Sequence, residues 1–115
     1  MNMLEIIKEQ SGYIIAKVNI TEANLNHSDQ FKTELVSLLN KEQKNVWLSL
    51  EQVAYVDSSF LGALVAGLKH ALGSGNDLML LGLQKDVYDL LKLIRLDQVF
   101  KIYADEQTAK AALTQ

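Results

Sequence analysis

Three consecutive oxygen-bearing side chains, Asp57, Ser58 and Ser59, stand inside the segment AYVDSSFLGALVAGL at residues 54–68. Before them runs a short apolar stretch of β type; after them apolar residues recur at helical spacing. An acid and two hydroxyls at such a junction suit two kinds of chemistry. One is helix capping, because Asp and Ser oxygens accept from the unpaired N–H groups of a first helical turn. The other is phosphoacceptor chemistry. A first-turn hydroxyl lies near the sheet edge, within a partner's reach, and phosphorylation there adds roughly −1.5 to −2 charges at neutral pH. The helix N-terminus tolerates that charge while Asp57 repels it, so the fold survives as the local surface changes sign. One cap needs one residue. Whether Asp57 or Ser58 fills it, a serine is left in the first turn that no helix end requires.

Other chemistries find less in the chain. Ser59, His70 and Asp57 can be drawn as a triad, but no G-x-S-x-G elbow surrounds the serine. Ser and Asp two positions apart do not easily flank one imidazole. His27 and His70 are the only histidines, one expected in a loop and the other near a solvated helix end. No H-x-x-x-H pair or carboxylate cluster suggests a metal site. Gly62, Ala63, Ala66 and Gly67 fall inside a helical pattern and read as close helix–sheet packing, not as a phosphate-cradling loop. The lysines at 41, 44, 69, 85, 92 and 101, with Arg95, are dispersed over solvated faces. The expectation is a non-enzyme without cofactor or metal.

The elements that must position the junction follow from periodicity. Residues 3–20 hold two β-rich runs around Ser11-Gly12, a hairpin turn, with Ile14, Ala16, Val18 and Ile20 on one face. Thr21 to His27 is rich in turn formers, and Ser28 or Asn26 is placed to cap a helix carrying Phe31, Leu35, Leu38 and Leu39. NVWLSL reads as a strand with Val46, Leu48 and Leu50 on one side, and VAYVD as a short extended lead-in. Leu61, Leu64, Val65, Leu68 and Leu72 form the next helical stripe, ended by Gly73-Ser74-Gly75. LMLLGL is apolar on both faces, as in a strand buried between helices of a mainly parallel sheet. Val87, Leu90, Leu91 and Ile94 mark a third helix. FKIY gives a last short strand, and Asp105 caps a closing helix with Ala109, Ala112 and Leu113. The order ββαβαβαβα predicts an α/β sandwich with helices on a mixed sheet.

Composition sets the outer bounds. The 115 residues suit one domain spanning 1–115, and the absence of proline and scarcity of glycine leave no linker. A net charge of −3 without a basic stripe argues against nucleic acid as a direct partner. Cysteine is absent, which excludes disulfides and thiolate sites. No signal-like segment opens the chain. The longest apolar stretch, Phe60 to Leu68, is far short of the roughly 20 residues that span a bilayer. A soluble cytoplasmic domain without direct membrane insertion is expected.

Residues 46–83, VWLSLEQVAYVDSSFLGALVAGLKHALGSGNDLMLLGL, resemble the central motif of STAS domains, in particular the single-domain anti-sigma factor antagonists. These show an apolar strand, a short link, D-S-S-G-L-G opening a helix, a glycine-containing turn and another apolar strand. Residues 90–113 resemble the family's closing helix, short strand and helix, and residues 18–31 its loop and helix start. The resemblance implies a STAS-type sandwich, a mixed sheet of four to five strands with about four helices packed on it. It also implies bacterial partner switching. Ser59 maps to the family's phosphoacceptor, with Ser58 the alternative. The partner is a GHKL-type anti-sigma factor that doubles as serine kinase and binds the unmodified antagonist; a metal-dependent serine phosphatase resets the cycle. ATP and metal belong to those partners. Two positions depart from the pattern. Phe60 replaces a usual Gly, as either core or exposed anchor, and Asn26 replaces a frequent Asp. Contact residues expected on this basis are Asp57, Ser58, Phe60 and Leu61, with Asn24, Leu25, Asn26 and His27 of the 24–27 loop. Two other roles fit the same fold: an accessory subunit of a lipid or ABC transport complex, and a switch acting on a regulator other than a sigma factor.

Overall fold

A computed structural model describes residues 2–113. Five strands form the main sheet: β1 (Leu4–Glu9), β2 (Tyr13–Val18), β4 (Asn45–Ser49), β6 (Leu78–Leu81) and β7 (Ile102–Tyr103), side by side in that order. β1 runs antiparallel to β2 across the Ser11-Gly12 turn, and every other pairing is parallel. The parallel neighbours are joined by α1 (Leu25–Glu42), α2 (Ser58–Gly73) and α3 (Lys85–Leu93), and α4 (Glu106–Leu113) closes the described chain. A mixed five-stranded sheet with four helices is the architecture the periodicity predicts.

Period-two alternation decides which helix covers which face. Ile14, Ala16 and Val18 of β2, Val46 and Leu48 of β4, and Leu78 and Leu80 of β6 share one core with α1, α2 and α3. Their alternates Ile15, Trp47, Met79 and Leu81 meet Ala109 of α4 on the opposite face. The central strands are therefore apolar on both sides because helices lie on both sides. The second face is held at its rim by polar contacts. Tyr13 stacks on Trp47 with centroids 3.6 Å apart, its hydroxyl donates to Glu106 Oε2 at 2.6 Å, and Lys8 Nζ lies 2.8 Å from Glu106 Oε1.

The structure adds one element that the sequence pattern does not declare. The lead-in before Asp57 is β5 (Tyr55–Val56), and it pairs in parallel with β3 (Glu22–Ala23) as a separate two-stranded sheet. Several stripe positions also differ from expectation. Leu72, Ile94 and Leu113 are exposed although the spacing places them inward, and Ala112 is exposed with them. All four lie in the last turn of a helix or just beyond it.

Helices α1 and α2 pack closely because two residues suit the contact. The Phe31 and Phe60 rings meet at 4.4 Å with planes tilted by 34°, a pairing worth about 0.5–1.5 kcal/mol beyond buried area. Lower down, a Cβ on Gly67 would overlap Leu35 Cδ2 and lie 3.3 Å from Leu78 Cδ2. Leu35 is wholly buried and has little room to yield. Gly62, in the same helix, has nothing within 4 Å of its Cβ position.

Two measurements check this packing. Gly67→Ala should lower the urea midpoint, since overpacking of about 1–3 kcal/mol exceeds the propensity gain of about 1 kcal/mol. Gly62→Ala should raise it. Equal stabilisation by both would contradict the close approach at Gly67. The second check concerns Tyr13, whose pKa is pushed up to about 12, by burial first and then by the hydrogen bond and charge of Glu106. A raised phenol pKa means that this tie is present below pH 10 and is lost as pH rises through about 12. In an alkaline titration followed by tyrosinate absorbance, Tyr13→Phe should remove an ionisation step near pH 12; an unchanged curve would contradict the tie.

Candidate functional site

The site is built from one local unit used twice. A two-residue strand, an extended Asx residue and a helix occur as β3–Asn24–α1 and again as β5–Asp57–α2. The strands pair Ala23 with Val56, and the Asp57 N–H donates to Ala23 O at 3.1 Å. The two helix starts are therefore neighbours.

Asp57 serves both of them. Its Oδ1 accepts from the Phe60 N–H at 3.0 Å and caps α2. Its Oδ2 accepts from the Leu25 N–H at 2.8 Å, in the first turn of α1. Asn24 supplies the ordinary cap of α1 through Oδ1, 3.0 Å from the Asn26 nitrogen. Neither helix has an acidic residue in its first turn, so the Asp57 carboxylate is the anion that faces both dipoles.

That arrangement corrects two expectations about caps. Asn26 and Ser28 do not cap α1. The helix starts earlier, and Ser28 is buried with its hydroxyl donating to Leu25 O. Residues 25–27 are accordingly the first turn of α1 and not a loop. Nor does Ser58 cap α2. Among the described residues, neither the Ser58 nor the Ser59 hydroxyl makes a hydrogen bond within the protein. Ser58 is exposed and Ser59 half-buried. Helix capping thus accounts for Asp57 alone.

Burial divides the remaining expected contact residues. Phe60 is 0% exposed and Leu61 6% exposed, so neither ring nor side chain forms an outer surface; the expected contact role of both is withdrawn. Phe60 is core because Phe31 lies opposite it. Leu25 is 68% exposed and Tyr55, absent from the expected set, is 55% exposed. Leu25 opens α1, and Tyr55 belongs to the same unit as the serines, on the strand that leads to them. His27 is half-buried, with Nδ1 enclosed and unpartnered. His70 lies eleven residues below Ser59, about 16 Å at helical rise, and its Nε2 is 2.7 Å from Asn40 Oδ1. The drawn triad does not assemble.

Between the starts of α1 and α2 runs a groove of about 290 Å³, lined by Leu25, Asp29 and Lys32 on one side and Ser59 and Gly62 on the other. Lys32 and Asp29 are additions to the expected set. Spacing of i, i+4 and i+7 from Leu25 puts both on its face of α1, a signal usable only once the helix is known to begin at Leu25.

A family model for the STAS domain matches residues 10–109. The chain belongs to the STAS domain family. A Thermotoga maritima protein assigned as an anti-sigma factor antagonist is 34% identical over 83 residues, covering 71% of this chain and 74% of that protein. A crystal structure of an assigned anti-sigma factor antagonist from Thermotoga maritima superposes with a TM-score of 0.86 at 29% identity, covering 98% of this chain and 96% of that one. A STAS domain protein from Planctomyces limnophilus shares the fold, with a TM-score of 0.83 at 18% identity over 97% of this chain and 98% of the other. Among the described residues, no helix of this STAS domain is long and apolar enough to cross a membrane.

The division of labour at Asp57-Ser58-Ser59 is testable by urea denaturation. Asp57→Ala should cost about 1–3 kcal/mol, since it removes two hydrogen bonds to a charged acceptor at two helix ends. Asp57→Asn should cost less, keeping one acceptor oxygen. Ser58→Ala and Ser59→Ala should each stay within about 0.5 kcal/mol of wild type. A serine variant as damaging as Asp57→Ala would return that serine to a structural role.

Proposed function

We propose that this chain is an anti-sigma factor antagonist whose binding is switched by phosphorylation of Ser59, with Ser58 the alternative acceptor. The observation that carries the reading is the pair of free serine hydroxyls beside a carboxylate that alone caps the helix. Similarity, in sequence and in crystal structure, to what is assigned in Thermotoga maritima as an anti-sigma factor antagonist supports the general role. The partner is a GHKL-type anti-sigma factor with serine-kinase activity. In the transfer, Ser59 Oγ attacks the γ-phosphorus of ATP, ADP leaves, and the hydroxyl proton passes to a base of the kinase. A metal-dependent serine phosphatase hydrolyses the ester and restores the hydroxyl. Nucleic acid takes no direct part, and the protein works in the cytoplasm.

The unmodified surface offers Leu25, which lines a groove with Ser59, and the exposed Tyr55 just before the serines as apolar anchors, with Asn24, Asn26 and His27 close to Leu25 in the chain. Asp57 positions the anchors and leaves the contacts to them. A phosphoryl group placed among these anchors opposes docking, because its charge must be desolvated or repelled as the interface closes. The helix end accepts the same charge without unfolding.

Phosphosite mapping by tandem mass spectrometry, on protein from its native cells with phosphatases inhibited, tests the reading. The expected result is a phosphoryl group on Ser59 that disappears when the kinase is deleted. An unmodified chain across growth and stress conditions would contradict it, and would favour a constitutive binding subunit such as one of a transport complex.

A further inference from the structure

The groove between α1 and α2 brings together a hydroxyl and a cation that have no partner. Ser59 and Lys32 both line it. Among the described residues, the Lys32 and Asp29 side chains make no ion pair or hydrogen bond. Gly62, one turn beyond Ser59, also lines the groove and is exposed, and the space at its Cβ position is open, with nothing within 4 Å. A glycine inside a helix costs about 1 kcal/mol relative to alanine, and here packing does not explain it.

We propose that Lys32 draws a phosphoryl group on Ser59 into this groove, over Gly62, so that phosphorylation fills the groove as well as charging its rim. This deepens the phospho-switch reading and rests on Ser59 being the acceptor. A phosphoryl group on Ser59 can lie outward in water or inward between the helices. Lys32 attracts it inward and Asp29 opposes that pull. The Asp57 carboxylate is held by the Leu25 and Phe60 N–H groups on the cap side. The lack of a Cβ at Gly62 provides the volume. A partner side chain that enters the groove in the unmodified state is then excluded by occupancy, independently of charge repulsion. Lys32 is a positioning residue in this scheme and, among the described residues, makes no ion pair or hydrogen bond in the unmodified chain.

The test installs phosphoserine at position 59 during translation and follows its second ionisation by phosphorus NMR. That ionisation lies near pH 6 for a free phosphoserine. Lys32→Met should raise the pKa by about 0.3 unit, the size expected for one screened charge a few ångströms away. Lys32→Arg should restore the wild-type value, and Asp29→Asn should lower it. Bulk introduced by Gly62→Leu should turn the phosphate outward and shrink the Lys32→Met effect. No shift on Lys32→Met, or a full shift that persists with Gly62→Leu, would overturn the inward placement. Because the phosphate is supplied by translation, this result is independent of any kinase: an unphosphorylated serine in cells defeats the regulatory reading and not the geometry, and an outward phosphate does the reverse.

Discussion

One carboxylate sets the distance between two helix starts, and the surface of this protein depends on that distance. Asp57 uses one oxygen for the Phe60 N–H of its own helix and the other for the Leu25 N–H of the neighbouring one. An amide would offer one acceptor and a serine one short-reaching oxygen. Only a carboxylate at this position satisfies both ends while countering two positive dipole termini. The parallel β3–β5 pair brings the backbones into register, and the carboxylate locks them. Leu25, Ser59 and the groove between them are placed by that lock.

Below the lock, the packing is made to resist change. Phe60 enters the core against Phe31, and Gly67 lets Leu35 approach the α2 backbone. Close-packed interiors transmit or refuse strain and do not absorb it gradually. A charge added at Ser59 would therefore meet a helix end already held by the β3–β5 pairing and by the Asp57 carboxylate. On the proposed reading its effect falls on the surface and not on the fold. The same separation explains how Phe60 stands beside Ser59 without covering it, since the ring is buried against Phe31 while Ser59 stays half-exposed.

Much of this was legible from residue order. The alternation in Ile14–Val18, Val46–Leu50 and Leu78–Leu81 specifies strands with two buried faces, and the resemblance around Asp57-Ser58-Ser59 points to the helix junction taken as the candidate site. What was not legible depends on tertiary partners. Two-residue strands such as Tyr55–Val56 are too short to show a period. NLNHSD contains several residues able to cap, and the start of α1 is settled by Asp57, 33 positions after the Asn24 cap in the chain. Phe60 fits core or surface until Phe31 is seen opposite it. Leu72 and Leu113 obey the helical period yet stand exposed in the last turns of their helices. Lys32 carries no local signal, because its significance lies in a groove formed with another helix.

If modification of Ser59 changes binding and leaves the fold in place, isothermal calorimetry will show it, with the proposed partner, a GHKL-type kinase, titrated against this protein unmodified and carrying phosphoserine at 59, and with melting temperatures as control. The unmodified form should bind, and phosphoserine should weaken affinity by about 100-fold or more, roughly 2.7 kcal/mol, with the melting temperatures of the two forms alike. Equal affinity for both forms would contradict the proposal, and so would a loss of binding that accompanies loss of the fold.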